Sequence, residues 1–293
     1  LFKILKSSNN KKSFAVAAAE DSHTLEAVLR VYDEGLANPI LIGDEKKIRL
    51  VIEEMGNSTK GLTIINVTQG PEACAQKAVD IVNDGQASFI SKGLIDTAVI
   101  LRAVLKKENN LLKGGLVSTV SFIEIPTYHK LICATDCGLN MYPNLTQKKE
   151  ILVNAVEAFK NIGMENPKVA VLCAIEKVNP KMPETVDAQA LKQMNISGEI
   201  KDCIVEGPIS YDIAISKEAA KIKGFESPVA GDPDILLLPD IASANIGMKA
   251  LLYSAGARTA GMAVGLKVPL VLTSRSAPAD EKYMSILLAL ASN

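Results

Sequence analysis

Short runs of aliphatic and β-branched residues recur along the chain, each followed by a helix-length stretch. The runs predict strands at residues 14–19, 39–43, 62–67, 88–91, 117–125, 130–135, 168–174, 202–205, 234–238 and 268–273. Between them, Leu25, Val28, Leu29, Tyr32 and Leu36 repeat at helical spacing, as do Leu152, Ala155, Val156 and Phe159. Such alternation predicts an α/β fold, a parallel sheet with helices on both faces. The rhythm breaks within 117–135, where two strand-like runs follow each other across Pro126–His129. The most loop-like stretch before that break is 106–110 with Gly114 and Gly115, which places a domain boundary near 114. In open parallel sheets ligands sit beyond the carboxyl ends of the strands, so chemistry is sought in the loops that follow them.

At 293 residues, and with about 100–200 residues per domain, the chain predicts two domains. Hydrophobic residues at 48% and charged residues at 22% are globular proportions and exclude a disordered or collagen-like chain. The 32 Lys+Arg against 33 Asp+Glu leave no positive excess to neutralise a phosphate backbone, so no nucleic-acid partner is expected. Aromatic residues are 4% and Trp is absent, which argues against stacking platforms. The apolar run 14–19 is too short for a signal-peptide core, and no run approaches a membrane span, so no membrane partner is expected. The five cysteines read as buried thiols of a reducing, cytoplasmic compartment. Cys133 and Cys137 lack a second pair and His23 and His129 are far apart in sequence, so no metal site is expected.

The sequence contains no P-loop, no G-x-G-x-x-G after a strand, no G-x-S-x-G and no H-E-x-x-H. Three segments remain. Thr273-Ser-Arg-Ser276 follows the last predicted strand, and a helix is expected to start near Pro278. Such a corner can gather a hydroxyl, a guanidinium and backbone N–H groups around one anion, although a solvated Arg275 beside a helix cap fits the same residues. Glu206-Gly-Pro-Ile-Ser-Tyr-Asp212 reads as a strand-to-helix turn in which Gly207 permits close approach and Ser210 caps or binds. Pro239-Asp-Ile-Ala-Ser-Ala-Asn-Ile-Gly-Met-Lys249 reads as a hydrogen-bonding loop carrying a cation, with plain packing as the alternative.

Together with Asn179-Pro-Lys-Met-Pro-Glu-Thr-Val-Asp-Ala188 and Ala17-Ala-Ala-Glu-Asp21, these segments resemble the phosphate acetyl/butyryltransferase family, in order and over nearly the whole chain. The 179–188 motif is most like the butyryltransferase branch. The resemblance implies two three-layer α/β domains with a cleft between them, like isocitrate and isopropylmalate dehydrogenases. The second domain, 114–264, would be inserted into the first, 1–113 plus 265–293. It also implies the reversible conversion of a short-chain acyl-CoA (butyryl or branched C4–C5) and phosphate to acyl phosphate and CoA. CoA is then a substrate, no cofactor or metal is expected, and a homo-oligomer is expected by analogy.

The family's Ser-Arg pair falls on Ser274 and Arg275, and its helix carboxylate on Asp280 or Glu281; Asp280 is the favoured base. Ala277 stands where butyryltransferases carry an Asp. Asn245, Gly247 and Lys249 match the substrate-lining motif, Gly207 and Ser210 the second segment, and Arg102 a phosphate-binding arginine. Three alternatives remain: a phosphate acetyltransferase, a metal-dependent dehydrogenase of the same fold, and a non-catalytic acyl-CoA sensor. The dehydrogenase needs a cluster of acidic ligands that the named loops lack, and the Ser274–Arg275 pair weighs against the sensor.

Overall fold

The computed structural model describes residues 11–274 and 276–292. Its strands, in chain order, are β1 (Lys12–Ala17), β2 (Ala37–Gly43), β3 (Thr63–Asn66), β4 (Ile90–Lys92), β5 (Ser118–Glu124), β6 (Ile132–Thr135), β7 (Lys168–Leu172), β8 (Ile204–Ile209), β9 (Ile235–Leu237), β10 (Arg258–Val264) and β11 (Leu270–Val271). The helices are α1 (Ser22–Asp33), α2 (Glu45–Glu54), α3 (Pro71–Asn83), α4 (Thr97–Leu105), α5 (Leu145–Asn161), α6 (Pro183–Ile196), α7 (Tyr211–Ile215), α8 (Lys217–Ile222), α9 (Ile241–Ser254) and α10 (Ala279–Ala291).

Two compact units result, Leu1–Gly114 with Ala260–Asn293, and Gly115–Thr259. The return to the first unit thus falls at Ala260, a few residues before the expected 265. In the first unit the strands lie in the order β3-β2-β1-β4-β11-β10, parallel throughout except for the β10–β11 pair. In the second the order is β5-β6-β9-β7-β8, again parallel apart from β5–β6. Mixed sheets of this kind bury their central strands on both faces, which is why β1 ends in four fully buried residues, Phe14 to Ala17. Phe14 stacks on Phe89 in the first core and Phe122 on Phe159 in the second, each at 4.9 Å between centroids.

Helix starts follow the chemistry of their caps. Asp21 accepts a hydrogen bond from Thr24 N at 2.9 Å and opens α1, and Asn144 with Gln147 forms a reciprocal capping box on α5. Asp240 does the same for α9 through Ser243 N at 2.8 Å. Segment 239–249 is therefore mostly helix rather than the expected loop, because a strong cap and the alanines at 242, 244 and 250 outweigh Gly247 in its interior.

Two further expectations are corrected. Residues 258–264 form β10, which the pattern reading left out because Arg-Thr-Ala-Gly-Met carries little β-branched signal. Glu206, Gly207 and Pro208 lie inside β8, not in a turn after it. A Cβ on Gly207 would come within 2.8 Å of Val171 Cβ and 3.2 Å of Ala188 Cβ, so the close approach it permits is that of β7 and α6, not of a ligand.

Candidate active site

In the first unit β1, β4 and β11 run parallel and in register, Ala17 beside Lys92 and Ser91 beside Val271. Their carboxyl ends therefore form one edge, and three loops leave it. Gly93 N and Leu94 N donate to Ala17 O and Ala18 O at 2.9 and 2.7 Å, tying the first two loops together. A Cβ on Gly93 would sit 2.2 Å from Ala18 O, so only glycine fits there. Lys92 is buried with its ammonium donating to Ile95 O at 3.0 Å and Gly93 O at 3.3 Å.

The third loop is the Thr-Ser-Arg-Ser corner. Ser274 is exposed, accepts from Ser276 N at 3.3 Å, and has Ser276 Oγ 3.0 Å from its own hydroxyl. Arg275 lies outside the described residues. Ala277 is buried and donates its N–H to Ser274 O, an apolar closure of the corner.

Asp280 and Glu281 open α10, but their surroundings differ. The Asp280 carboxylate is 55% exposed and accepts from Arg30 Nη1 of α1 at 3.1 Å. Arg30 in turn lies 3.7 Å over the Tyr283 ring and bonds Glu34, while the Tyr283 hydroxyl donates to Glu34 at 2.6 Å. Burial, with that bond to Glu34, pushes the Tyr283 phenol up to about 12. Glu281 is instead half-buried; desolvation raises its carboxyl above the ordinary range, and the neighbouring Lys282 only partly offsets that. A carboxylate less committed to the anionic form is the better proton acceptor.

Arg102 occupies the last turn of α4 and is exposed. In the second unit Asn245, Gly247 and Lys249 are exposed along α9. Ser210 is buried at the end of β8, donating to a carboxylate of Glu176 or Asp212, with Lys223 Nζ 2.9 Å from Glu176 and 3.0 Å from Asp212. Those hydrogen bonds draw the Asp212 carboxyl down to about 2. Asn245, Gly247 and Lys249 thus share one helix, and Ser210 belongs to a separate, internally satisfied polar cluster.

Sequence reasoning missed several groups. A pocket of about 560 Å³ opens beyond β7 and β9, lined in part by Cys173, Pro239, Ser243 and the ion pair of buried Lys148 with half-buried Asp187 (2.7 Å). Asp136, after β6, is 5% exposed and its carboxylate accepts from Thr119, Gly138, Leu139 and Asn140. Lys282 is buried on α10. It repeats at i+3, i+4 and i+7 with Ser285, Ile286 and Ala289, all buried, so a lysine on an apolar helical face was the available signal. Burial holds Cys137 and Cys173 as thiols, each pushed up to about 12. Among the described residues no group of three or more His, Cys, Asp or Glu could hold a metal ion.

Comparison with known proteins adds the following. A family model described as phosphate acetyl/butaryl transferase matches residues 1–79 and 71–290. A phosphate butyryltransferase of Clostridium acetobutylicum is 42% identical over 96% of this chain and 93% of its own length. A phosphate acetyltransferase of Thermotoga maritima is 44% identical over 95% of this chain and 94% of its own. Among solved structures, a branched-chain phosphotransacylase from Enterococcus faecalis V583 superposes with a TM-score of 0.84 at 32% identity, over 96% of this chain and 98% of that one.

Proposed function

The chain belongs to the phosphate acetyl/butaryl transferase family, and on that premise we propose that it converts a short-chain acyl-CoA and phosphate reversibly into acyl phosphate and CoA. The observation that carries this reading is the near full-length similarity to a phosphate butyryltransferase. Coenzyme A enters as a substrate, and the chemistry asks for no further cofactor: a base, a hydroxyl and the guanidinium of Arg275 suffice for it.

In the direction that consumes acyl phosphate, a thiol of pKa near 8.5 must lose its proton before attacking the carbonyl. We assign that proton to Glu281 rather than Asp280, because the Asp280 carboxylate already holds Arg30. Ser274, exposed at the strand edge, hydrogen-bonds beside the reacting sulfur. Arg275 meets the oxyanion of the tetrahedral intermediate, where one such donor is worth about 3–4 kcal/mol. Arg102, Asn245, Gly247 and Lys249 are the further substrate contacts.

For the acyl group we favour C4 and branched C4–C5 chains, supported by the 179–188 motif and the branched-chain phosphotransacylase. The named acetyltransferase relative supports acetyl instead. Each buried methylene is worth about 0.8 kcal/mol, so two of them favour butyryl over acetyl roughly tenfold. Free cysteines support a cytoplasmic enzyme. The exposed Ile246 (69%) and Tyr253 (79%) on α9 support a homo-oligomer. The insertion of one α/β unit into another, as in dehydrogenases of this class, is supported by the discontinuous first unit.

Thiol release from butyryl-CoA and from acetyl-CoA, with and without phosphate, tests the reading. Phosphate-dependent release with a higher kcat/KM for butyryl-CoA is expected. Equal values would move the chain to the acetyl branch, and no release would remove the activity.

A further inference from the structure

Lys282 is 5% exposed, yet its ammonium makes one hydrogen bond, to Thr273 Oγ1 at 3.3 Å. No described carboxylate lies within 4 Å of it as an ion pair. An ammonium has three donors, and burying it without an anion is costly. Three other buried or half-buried lysines do not carry that cost. Lys148 has Asp187 at 2.7 Å, Lys192 has Glu206 at 2.6 Å, and Lys130 has Asp232 and Asp234.

The position is as informative as the missing partner. Thr273 lies two residues past β11 and Ser274, exposed, is the next residue, so the ammonium is held directly beneath the Ser274 corner. The groups that face it are the carboxylates of Asp21, at the β1–α1 turn, and Glu281 beside it; both attract it, but burial outweighs them and lowers its pKa. Asp21 is engaged in capping α1. In the first turn of α1 the Thr24 hydroxyl is buried with no hydrogen-bond partner. The cation, with two unused donors, stands in the first turn of α10 just past the Ser274 corner, where an oxygen-rich anion would complete it.

We propose that Lys282 holds the phosphate group of the phosphate or acyl phosphate substrate through its two remaining N–H donors, with Thr273 fixing the ammonium. This rests on the phosphate acyltransferase reading above. No bond is made or broken at Lys282: it is a binding group that sets the phosphate beside Ser274 before the acyl carbon is attacked. Phosphate esters of CoA present the same chemistry, and the experiment separates the two sources.

Lys282→Met keeps the length of the side chain and removes the charge. Steady-state thiol release is measured with inorganic phosphate varied at saturating butyryl-CoA, and then the reverse. Loss of a charge-assisted contact predicts a KM for phosphate raised about 10- to 100-fold, with the KM for butyryl-CoA changed by less than about threefold. The midpoint of thermal unfolding in low phosphate should stay the same or rise, and its upward shift on adding phosphate should disappear. Thr273→Val supplies an independent reading should Lys282→Met not fold, with a smaller rise in the same constant. An unchanged KM for phosphate, or a rise in the KM for butyryl-CoA instead, overturns the proposal. The thermal shift with phosphate alone reads Lys282 even if the wild-type protein proves to have no transferase activity.

Discussion

Replacing Asp136 by Asn keeps shape and size but should unfold the loop that leaves β6. Oδ1 accepts from Thr119 N at 3.1 Å, Gly138 N at 3.0 Å, Leu139 N at 3.3 Å and the Thr119 hydroxyl. Oδ2 accepts from Asn140 N at 3.0 Å and from Asn140 Nδ2. An asparagine must aim its NH₂ at one of these two sets. The cheaper choice faces Asn140, whose backbone N–H then has no acceptor. Turning the Asn140 amide to receive the new donor sacrifices its 3.0 Å bond to Val117 O. One buried unsatisfied donor costs about 1–3 kcal/mol, and the surviving bonds lose their charge assistance, so about 3–5 kcal/mol is expected. That is a large part of a domain's stability. Urea unfolding followed by circular dichroism gives the total, and amide exchange over residues 136–144 gives the local opening. A loss below about 1 kcal/mol, with exchange at Gly138 to Asn140 unchanged, would refute the reasoning.

Glu281→Gln should lower kcat by about 10²-fold or more while Asp280→Asn changes it less than about threefold. Because the Glu281 carboxyl is raised, wild-type kcat should fall on acidification through a pH above the usual value near 4.3. Consumption of the CoA thiol by acyl phosphate, followed against pH, checks both, and a larger loss in Asp280→Asn would return the role to that residue. Asp232, partly desolvated but held by Lys168, Lys130 and His129, has its carboxyl well below the usual range. It therefore contributes stability above pH about 4 that is lost as the pH falls toward the folded value. Asp232→Asn should cost about 1–3 kcal/mol at pH 7 and less at pH 3, by urea unfolding at the two pH values. Gly93→Ala should cost about 3 kcal/mol or more, because its Cβ meets the backbone oxygen of Ala18; a melting temperature equal to wild type would contradict that geometry.

Alternation of apolar runs was enough to find a strand at or beside every predicted position, since buried parallel strands need continuous aliphatic sequence. It failed at β10, where small and polar residues are admitted beside β11. It also stopped β8 short at Glu206 because a carboxylate and a Gly-Pro pair look like a turn; in the structure Lys192 neutralises that carboxylate at 2.6 Å. The Ser274 corner was legible because it follows a strand and precedes a proline-started helix. The different surroundings of Asp280 and Glu281 were not legible, because they depend on Arg30, 250 residues from Asp280 in sequence. Lys282 was hidden for the same reason: nothing local says which lysine lacks an anion.

β11 is last among the strands in the chain yet lies between β4 and β10 in the sheet. During synthesis, therefore, the first unit emerges with the flank of β4 bare, while the second, being continuous in sequence, has all its strands out of the ribosome well before. Vectorial folding would complete the inserted unit first and leave the earlier one waiting for its centre. A bare strand edge is a template for pairing with other chains. The stretch from Ala260 onward thus acts as a keystone, and a ribosome stalled short of it would release a chain whose second unit is native and whose first is prone to aggregate.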